Sequence, residues 1–322
     1  MGDRLRITVQ LVETASGAHV WADKIDRPVA EIFDIMDEVV DGLVMALCSN
    51  LGVAEAKRAA RQRPEDLRAW ALCVQAEAFF LLHASPESLL PAEKLLRRAT
   101  EIEPGYGVSW AFLAWLASLR RPWGLNPADP ARYDAEAITL ASKALSLAPD
   151  DPVVLGFCGT AFIWAGLTAR GIDCQERSLE INPNGGLFRL YYGAALLCDG
   201  RPEAGIAQLE MFFRLSPKDP NAGHAYFFYG WCYLVLDSFA QAEQAARKTV
   251  KILPGFDWGY YVLAMSLAGL GRLAEARRQM QTTHQMSPAW THQSVEDFWR
   301  HVIRKPEQAE KLIALTRQAW VD

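Results

Sequence analysis

Pro149-DDPVVLGFCGTAFIWAGLTARGIDCQERSLEIN-Pro183 is the stretch that decides the fold, because its closing proline recurs along the chain at a near-constant interval. Six short phrases end in proline: EIEP at Pro104, SLAP at Pro149, EINP at Pro183, RLSP at Pro217, KILP at Pro254 and QMSP at Pro288. The intervals are 45, 34, 34, 37 and 34 residues. A fixed period of this length is the signature of a repeat array. Twelve residues before each proline stand Ala92, Ala137, Gly171, Gly205, Ala242 and Ala276, without exception Ala or Gly. Five before stand Ala99, Ala144, Ser178, Phe212, Thr249 and Thr283, and near the start of each unit stand Phe80, Ala114, Gly159, Gly193, Gly230 and Ala264.

Small residues at fixed positions are what two closely crossing helices need at their contact points. Large residues flank them at helical spacing, as Tyr226, Tyr229 and Tyr233 do around Gly230. Proline then ends the second helix, because it has no N–H for the ladder, and turns the chain into the next unit. One such unit cannot bury its apolar face alone, whereas a stack buries a continuous core.

The period, the Ala/Gly columns, the phrases Trp110-Ala-Phe-Leu113-Ala114 and Tyr192-Gly193, and the closing prolines resemble the tetratricopeptide repeat family. The resemblance implies a mainly α protein, an α-solenoid of about six helix pairs over residues 65–288. Phe80, Phe212 and the lengthened second and fifth units depart from the pattern. The second unit carries about eleven extra residues around LRRPWGLNPADP (Leu119 to Pro130), rich in proline and therefore a loop. It reads as a tolerated insertion, with a binding loop built on Arg120, Arg121 and Trp123 as the alternative.

The flanks differ from the array. After Pro288, Ser294-Val-Glu-Asp297 reads as a capping box for a helix through about Arg304. Pro306 opens another helix, whose Leu312, Leu315 and Ala319 are expected to seal the last repeat, so that 289–322 form a cap. At the other end Leu5, Ile7, Val9 and Leu11 alternate with Arg4, Arg6, Thr8 and Gln10, the period of a half-buried strand. A turn around Thr14 to Gly17 and the run His19–Asp23 complete a hairpin, and 28–50 read as an amphipathic helix carrying Ile32, Ile35, Met36, Val39 and Val40. Residues 1–50 thus form a small α/β segment (hairpin plus helix), joined to the array by a linker or helix extension over 51–64. RLRITVQLVETASGAHVWADKID followed by IFDIMDEVV resembles the end of the TolB-N-like domain, which in bacteria precedes tetratricopeptide repeats in class III adenylate/guanylate cyclase-like proteins. The resemblance implies a cyclase core upstream of Met1; no residue here matches that core's metal-binding aspartates. The strand edge of the segment is a possible route to an oligomer.

Composition narrows the chemistry. The net charge of −5 has no basic block except Lys57, Arg58, Arg61 and Arg63, which Glu55, Glu65 and Asp66 flank, so nucleic acid is not the expected partner. Six scattered cysteines without a CxxC pair suggest reduced, buried thiols and a cytoplasmic location. The N-terminus lacks the apolar run of a signal peptide. Pro152 to Ala169 runs eighteen residues without a charge, but the repeat register explains it better than a membrane span. Phosphate-loop, GxSxG and HExxH motifs are missing, and the six histidines suggest no shared metal, so no catalytic residue, cofactor or metal is expected. The expectation is that the chain is not an enzyme.

What remains is the concave surface. The first helices of the units are nearly free of charge: Val108 to Ser118 has none and Gly186 to Cys198 only Arg189. Trp115, His224, Phe227, Trp231, Trp258, Tyr261 and Met265 are expected to face the groove. Aromatic anchors of that kind favour an apolar protein or peptide segment as partner. The same residues read equally well as core. The two functions that fit are an interaction scaffold, probing its partner through an aromatic groove in bacterial signalling, and the regulatory or sensory half of a cyclase-like protein.

Overall fold

The computed structural model describes residues 4–12, 19–28, 69–83, 86–122, 129–217 and 219–320. Strands β1 (Arg4–Val12) and β2 (His19–Pro28) pair antiparallel, with Ile7 opposite Ile25 and an irregularity at Leu11/Val12. The turn read at 14–17, the helix read over 28–50, the linker at 51–64 and Cys48 lie outside the described residues. The α/β segment as a unit is therefore not shown.

Among the described residues twelve helices follow in six pairs: α1 (Ala69–His83) with α2 (Pro86–Ile102), α3 (Gly107–Ser118) with α4 (Pro130–Leu147), α5 (Pro152–Trp164) with α6 (Thr168–Ile181). Then come α7 (Gly186–Cys198) with α8 (Pro202–Leu215), α9 (Ala222–Val235) with α10 (Phe239–Ile252), and α11 (Asp257–Gly269) with α12 (Leu273–Met286). The last two are α13 (His292–Val302) and α14 (Pro306–Ala319). The first helix of a pair is apolar almost all round and correspondingly buried, as α5 is from Val154 to Trp164. The second buries one stripe only; in α10 it is Ala242, Ala245, Ala246 and Thr249. Successive first helices pack on one another, which makes the array a tetratricopeptide-like solenoid.

The small columns meet where the helices cross. A Cβ on Gly159 would lie 2.9 Å from the carbonyl oxygen of Gly171, and one on Gly171 would lie 2.7 Å from that of Gly159. Gly193 and Gly205 oppose each other in the same way in the fourth pair. The third column ends the helices: Glu103, Ala148, Asn182, Ser216, Leu253 and Ser287, each just before the proline, donate their N–H to Ala99, Ala144, Ser178, Phe212, Thr249 and Thr283. Phe212 fits there fully buried, its ring edge-on to Phe213. Phe80's side chain lies outside the described ones.

The turns inside pairs three to six need a left-handed residue. Gly166, Gly200 and Gly271 supply it at φ of 79, 83 and 75°, and Asp237 takes the same conformation at 56°. The insertion's root is held by ion pairs: Arg120 bridges Glu93 and Glu136, and Arg121 grips Asp134 through Nε at 3.0 Å. Both arginines are thereby engaged within the fold, while residues 123–128, including Trp123, lie outside the described ones.

The C-terminal cap corrects two expectations. Thr291, not Ser294, is the N-cap of α13; its hydroxyl accepts the Ser294 N–H at 3.1 Å and the Ser294 hydroxyl accepts the Thr291 N–H at 3.0 Å. These hydroxyls satisfy each other's orphan donors, so the helix starts at His292 and stops at Val302. Leu312, Leu315 and Ala319 are buried as expected, but the cap does more than seal the last repeat. It runs back along the inner turns: Arg304 N–H donates to Cys198 O at 2.8 Å, Lys305 Nζ to Gly200 O at 2.8 Å and Lys311 Nζ to Val235 O at 2.9 Å. His301 reaches the third pair, its ring lying against Gly166, and its Nε2 faces Asp134 of the second pair at 3.7 Å. Buried Glu296 ties α13 to α14 by accepting from Arg317 at 2.7 Å.

Candidate functional site

On the inner face the first helices of pairs two to six, the flanking residues Leu119, Pro122 and Phe256, and one residue of α13 enclose an apolar pocket of about 560 Å3, counting its open mouth. Five of the seven expected residues come together in its lining: Trp115, His224, Phe227, Trp231 and Trp258. Helical spacing produces this. His224, Phe227 and Trp231 occupy one stripe of α9, and Trp115 and Trp231 each follow the small residue of their unit. Trp115 and Trp231 are almost fully buried, so they form walls and their indoles are not displayed to solvent.

Tyr261 and Met265 are elsewhere. Both are fully buried beneath the C-terminal helices. The Tyr261 hydroxyl accepts from Trp299 Nε1 at 2.9 Å and shares a short hydrogen bond with Thr316, whose hydroxyl also lies 3.5 Å from Met265 Sδ. They stand on the expected helix face, but α13 and α14 cover that part of it.

The remaining lining was missed for identifiable reasons. Two residues before each small position stand Phe112, Phe157, Tyr191, Phe228 and Val262, aromatic in four units of five. Of these, Tyr191 and Phe228 line the pocket, and Phe112 and Phe157 stack behind Trp115 with ring centroids 5.3 and 5.2 Å away. That column was legible. Five residues after the small position come Leu119 and Trp164, one turn beyond the stripe considered. Phe298 and Pro122 enter from the tail and the insertion, which no repeat register predicts.

The rings meet mostly edge to face: Trp164 with Trp231 (6.1 Å, 83°), Phe227 with Phe256 (5.0 Å, 83°), Trp115 with Tyr191 (5.6 Å, 66°). None of the described lining residues is Asp, Glu, Lys or Arg. Burial lowers the His224 pKa to about 4, so the ring is neutral at neutral pH. Burial also raises the Tyr191 hydroxyl's, with a smaller push from Glu77 of α1, which burial itself lifts to about 7. The pocket therefore offers ring faces and ring edges with almost no polar surface.

Among the described residues no three His, Cys, Asp or Glu side chains converge as a metal set, and no described helix is long and apolar enough to cross a membrane. Cys73, Cys158, Cys174, Cys198 and Cys232 are buried free thiols. Burial pushes Cys73 and Cys198 up to about 12 and Cys174 to about 11, which keeps them from acting as nucleophiles.

No family model matches the chain. A stretch of 152 residues, 47% of the chain, is 30% identical to "Putative adenylate cyclase 3" of Rhizobium meliloti (strain 1021) and spans 25% of that protein's length. Among solved structures, the human IFIT1 dimer with m7Gppp-AAAA aligns with a TM-score of 0.57 at 15% identity, covering 80% of this chain and 59% of that one. The APC/C hetero-tetramer Cut9-Hcn1 aligns with a TM-score of 0.54 at 12% identity, covering 85% and 46%. At such identities the likeness speaks for the fold alone, a tetratricopeptide-like helical solenoid.

Proposed function

We propose that this chain is a protein-interaction scaffold that anchors a segment of its partner in the aromatic pocket, and that it catalyses no reaction itself. The observation that carries the reading is the pocket: a concavity with buried aromatic walls, open to solvent, on the face that solenoids use for binding. The test is a random peptide library selected against the full chain. Selected peptides are then measured on wild type and on Leu119→Arg, which puts a charge at the half-buried mouth, with circular dichroism as the folding control. The expected outcome is a loss of at least about tenfold in affinity, the scale of one interface hot spot. Equal binding to both proteins would remove the pocket from the reading, and a selection that yields no binder would remove the scaffold reading with it.

A second reading, favoured by the identity to an adenylate cyclase-like protein, makes the chain the regulatory half of a cyclase-type signalling protein. In that setting the β1–β2 hairpin offers strand edges for addition by a catalytic or second copy. An in-frame cyclase core in the genomic DNA ahead of Met1 is the supporting result; its absence, together with no effect of this chain on a cyclase supplied in trans, overturns it.

A further inference from the structure

We propose that His301, Asp134 and Arg121 form a proton-operated latch: a proton taken up at His301 loosens the tail from pairs two and three and frees α13, the helix that supplies the pocket's Phe298 wall. The latch stands or falls separately from the scaffold reading above, because it concerns how that wall is held and not what the pocket receives.

Three separate parts of the chain meet at this point. Asp134 comes from α4, Arg121 from the root of the insertion and His301 from the C-terminal end of α13. Arg121 already grips the Asp134 carboxylate with both arms: its Nε lies 3.0 Å from Oδ1 and 3.1 Å from Oδ2, and its Nη2 makes a short bond to Oδ2. His301 approaches the same Oδ2 with Nε2 but stops at 3.7 Å, beyond hydrogen-bond reach. That nitrogen is buried and has no hydrogen-bond partner among the described residues. The ring lies flush on the turn of the third pair, where a Cβ on Gly166 would come within 2.8 Å of its Cε1 and 3.1 Å of its Nε2. The side chains of Asp134, Arg121 and His301 are only 12, 13 and 24% exposed.

Charge counting gives the direction. One guanidinium and one carboxylate cancel, so the cluster is neutral as long as the His301 ring is neutral. A proton on the ring puts two cations on one carboxylate in a site largely closed to water, where an unpaired charge is costly. The charged groups that face the ring are Asp134 from α4 and Arg121 from the insertion root, while Gly166 brings no charge. The neighbours along the chain are engaged elsewhere: Arg120 with Glu93 and Glu136, Arg304 with Asp199 at 2.7 Å, and Arg300 with Glu310 at 2.9 Å. Burial and Arg121 accordingly lower the His301 pKa from 6.5, against the pull of Asp134. A group lowered by folding contributes its stability above 6.5 and loses it as pH falls through the folded value. Acid therefore favours the tail away from Asp134.

The position of the cluster gives the latch something to control. Phe298 is three residues before His301 on α13, Pro122 follows Arg121, and Trp164 is two residues before Gly166; all three line the pocket. Beyond His301 the next tie of the tail is the Arg304 N–H, donated to Cys198 O at 2.8 Å.

The experiment follows amide exchange of the full chain at Arg304 and across 292–302, at about pH 7.5 and about pH 5, corrected for the intrinsic effect of pH on exchange. Protection in the wild type is expected to fall by roughly threefold or more, since each unit of pKa difference is worth up to tenfold. His301→Gln keeps a polar side chain that takes no proton, and should lose most of that fall. Arg121→Gln should reverse its sign: Asp134 then faces His301 alone, the imidazolium becomes its partner, and acid tightens the tail. His224 weakens the fold in acid as well, but it is present in all three proteins, so the differences between them belong to the latch. Equal falls in wild type and His301→Gln overturn the latch, and a fall of the wild-type sign in Arg121→Gln overturns the charge count. Should Arg121→Gln fail to fold by circular dichroism, the titration of the His301 ring proton in the wild type decides. A midpoint below 6.5 is expected, and one at or above 6.5 overturns the proposal.

Discussion

The inner face has two halves built from the same material. Along pairs two to five, and as far as Trp258 at the start of pair six, residues at fixed repeat positions surround an open pocket; deeper in pair six, residues at the same positions are core. Trp231 and Met265 occupy equivalent places one residue after Gly230 and Ala264, yet one borders the pocket while the other lies sealed under Thr316. The difference is not in the repeats. It comes from the tail, α13 and α14, which returns to cover one part and leaves the other. A repeat position is thus a place on a surface, and what later packs on it decides whether it binds or supports.

The largest effect should come from undoing the covered half. Trp299→Ala removes a fully buried indole that packs on Trp231 and hydrogen-bonds Tyr261, and should cost about 3–5 kcal/mol in urea denaturation. A loss under about 1 kcal/mol would mean that the tail is a loose cover, and the contrast between the halves would collapse.

The pH dependence of stability should separate the ends of the array. Glu77 is lifted by burial from 4.5 to about 7, so the folded chain holds a proton that the unfolded chain has lost. Its contribution is complete below about 4.5 and vanishes as pH rises through about 7. His224 runs the opposite way: lowered by burial from 6.5 to about 4, it contributes above 6.5 and that contribution is lost as pH falls through about 4. Between 4.5 and 6.5 the two slopes oppose each other. Glu77→Gln should therefore make stability climb more steeply with pH there, and His224→Phe should make it climb less. Denaturation midpoints at half-unit steps of pH check both signs.

The smallest effect concerns the edge between the halves. Asp237 sits at φ 56° where the other turns use glycine, and its carboxylate pairs with Lys311 of the tail at 2.7 Å. Asp237→Gly relieves the backbone by about 1 kcal/mol and gives up an exposed pair worth less. A slight rise in thermal midpoint is expected, and a clear drop would assign the tail's hold to that latch.

Much of this was readable beforehand. The proline ladder and the Ala/Gly columns locate all six pairs, because helix crossing leaves room for only small residues at Gly159, Gly171, Gly193 and Gly205. Five pocket residues follow from helical spacing alone. The rest depended on long-range packing. Phe298 and Trp299 belong to an amphipathic helix whose sequence shows an apolar face but not its destination, which runs from Trp258 back to Trp231 and Trp164. The capping box was displaced by one turn because Thr291 and Ser294 carry equivalent hydroxyls at a spacing as good as that of Ser294 and Asp297.

The contact between Arg304 and Cys198 has a consequence for how the molecule comes apart. An ordinary solenoid touches only its neighbours, so units can peel from an end one at a time. Here the last helices are fastened to the turns of pairs three, four and five, which closes that part of the array on itself. Its C-terminal end has no free unit to fray. Pairs three to six should lose amide protection together, as one cooperative block, while the first pair exchanges on its own schedule.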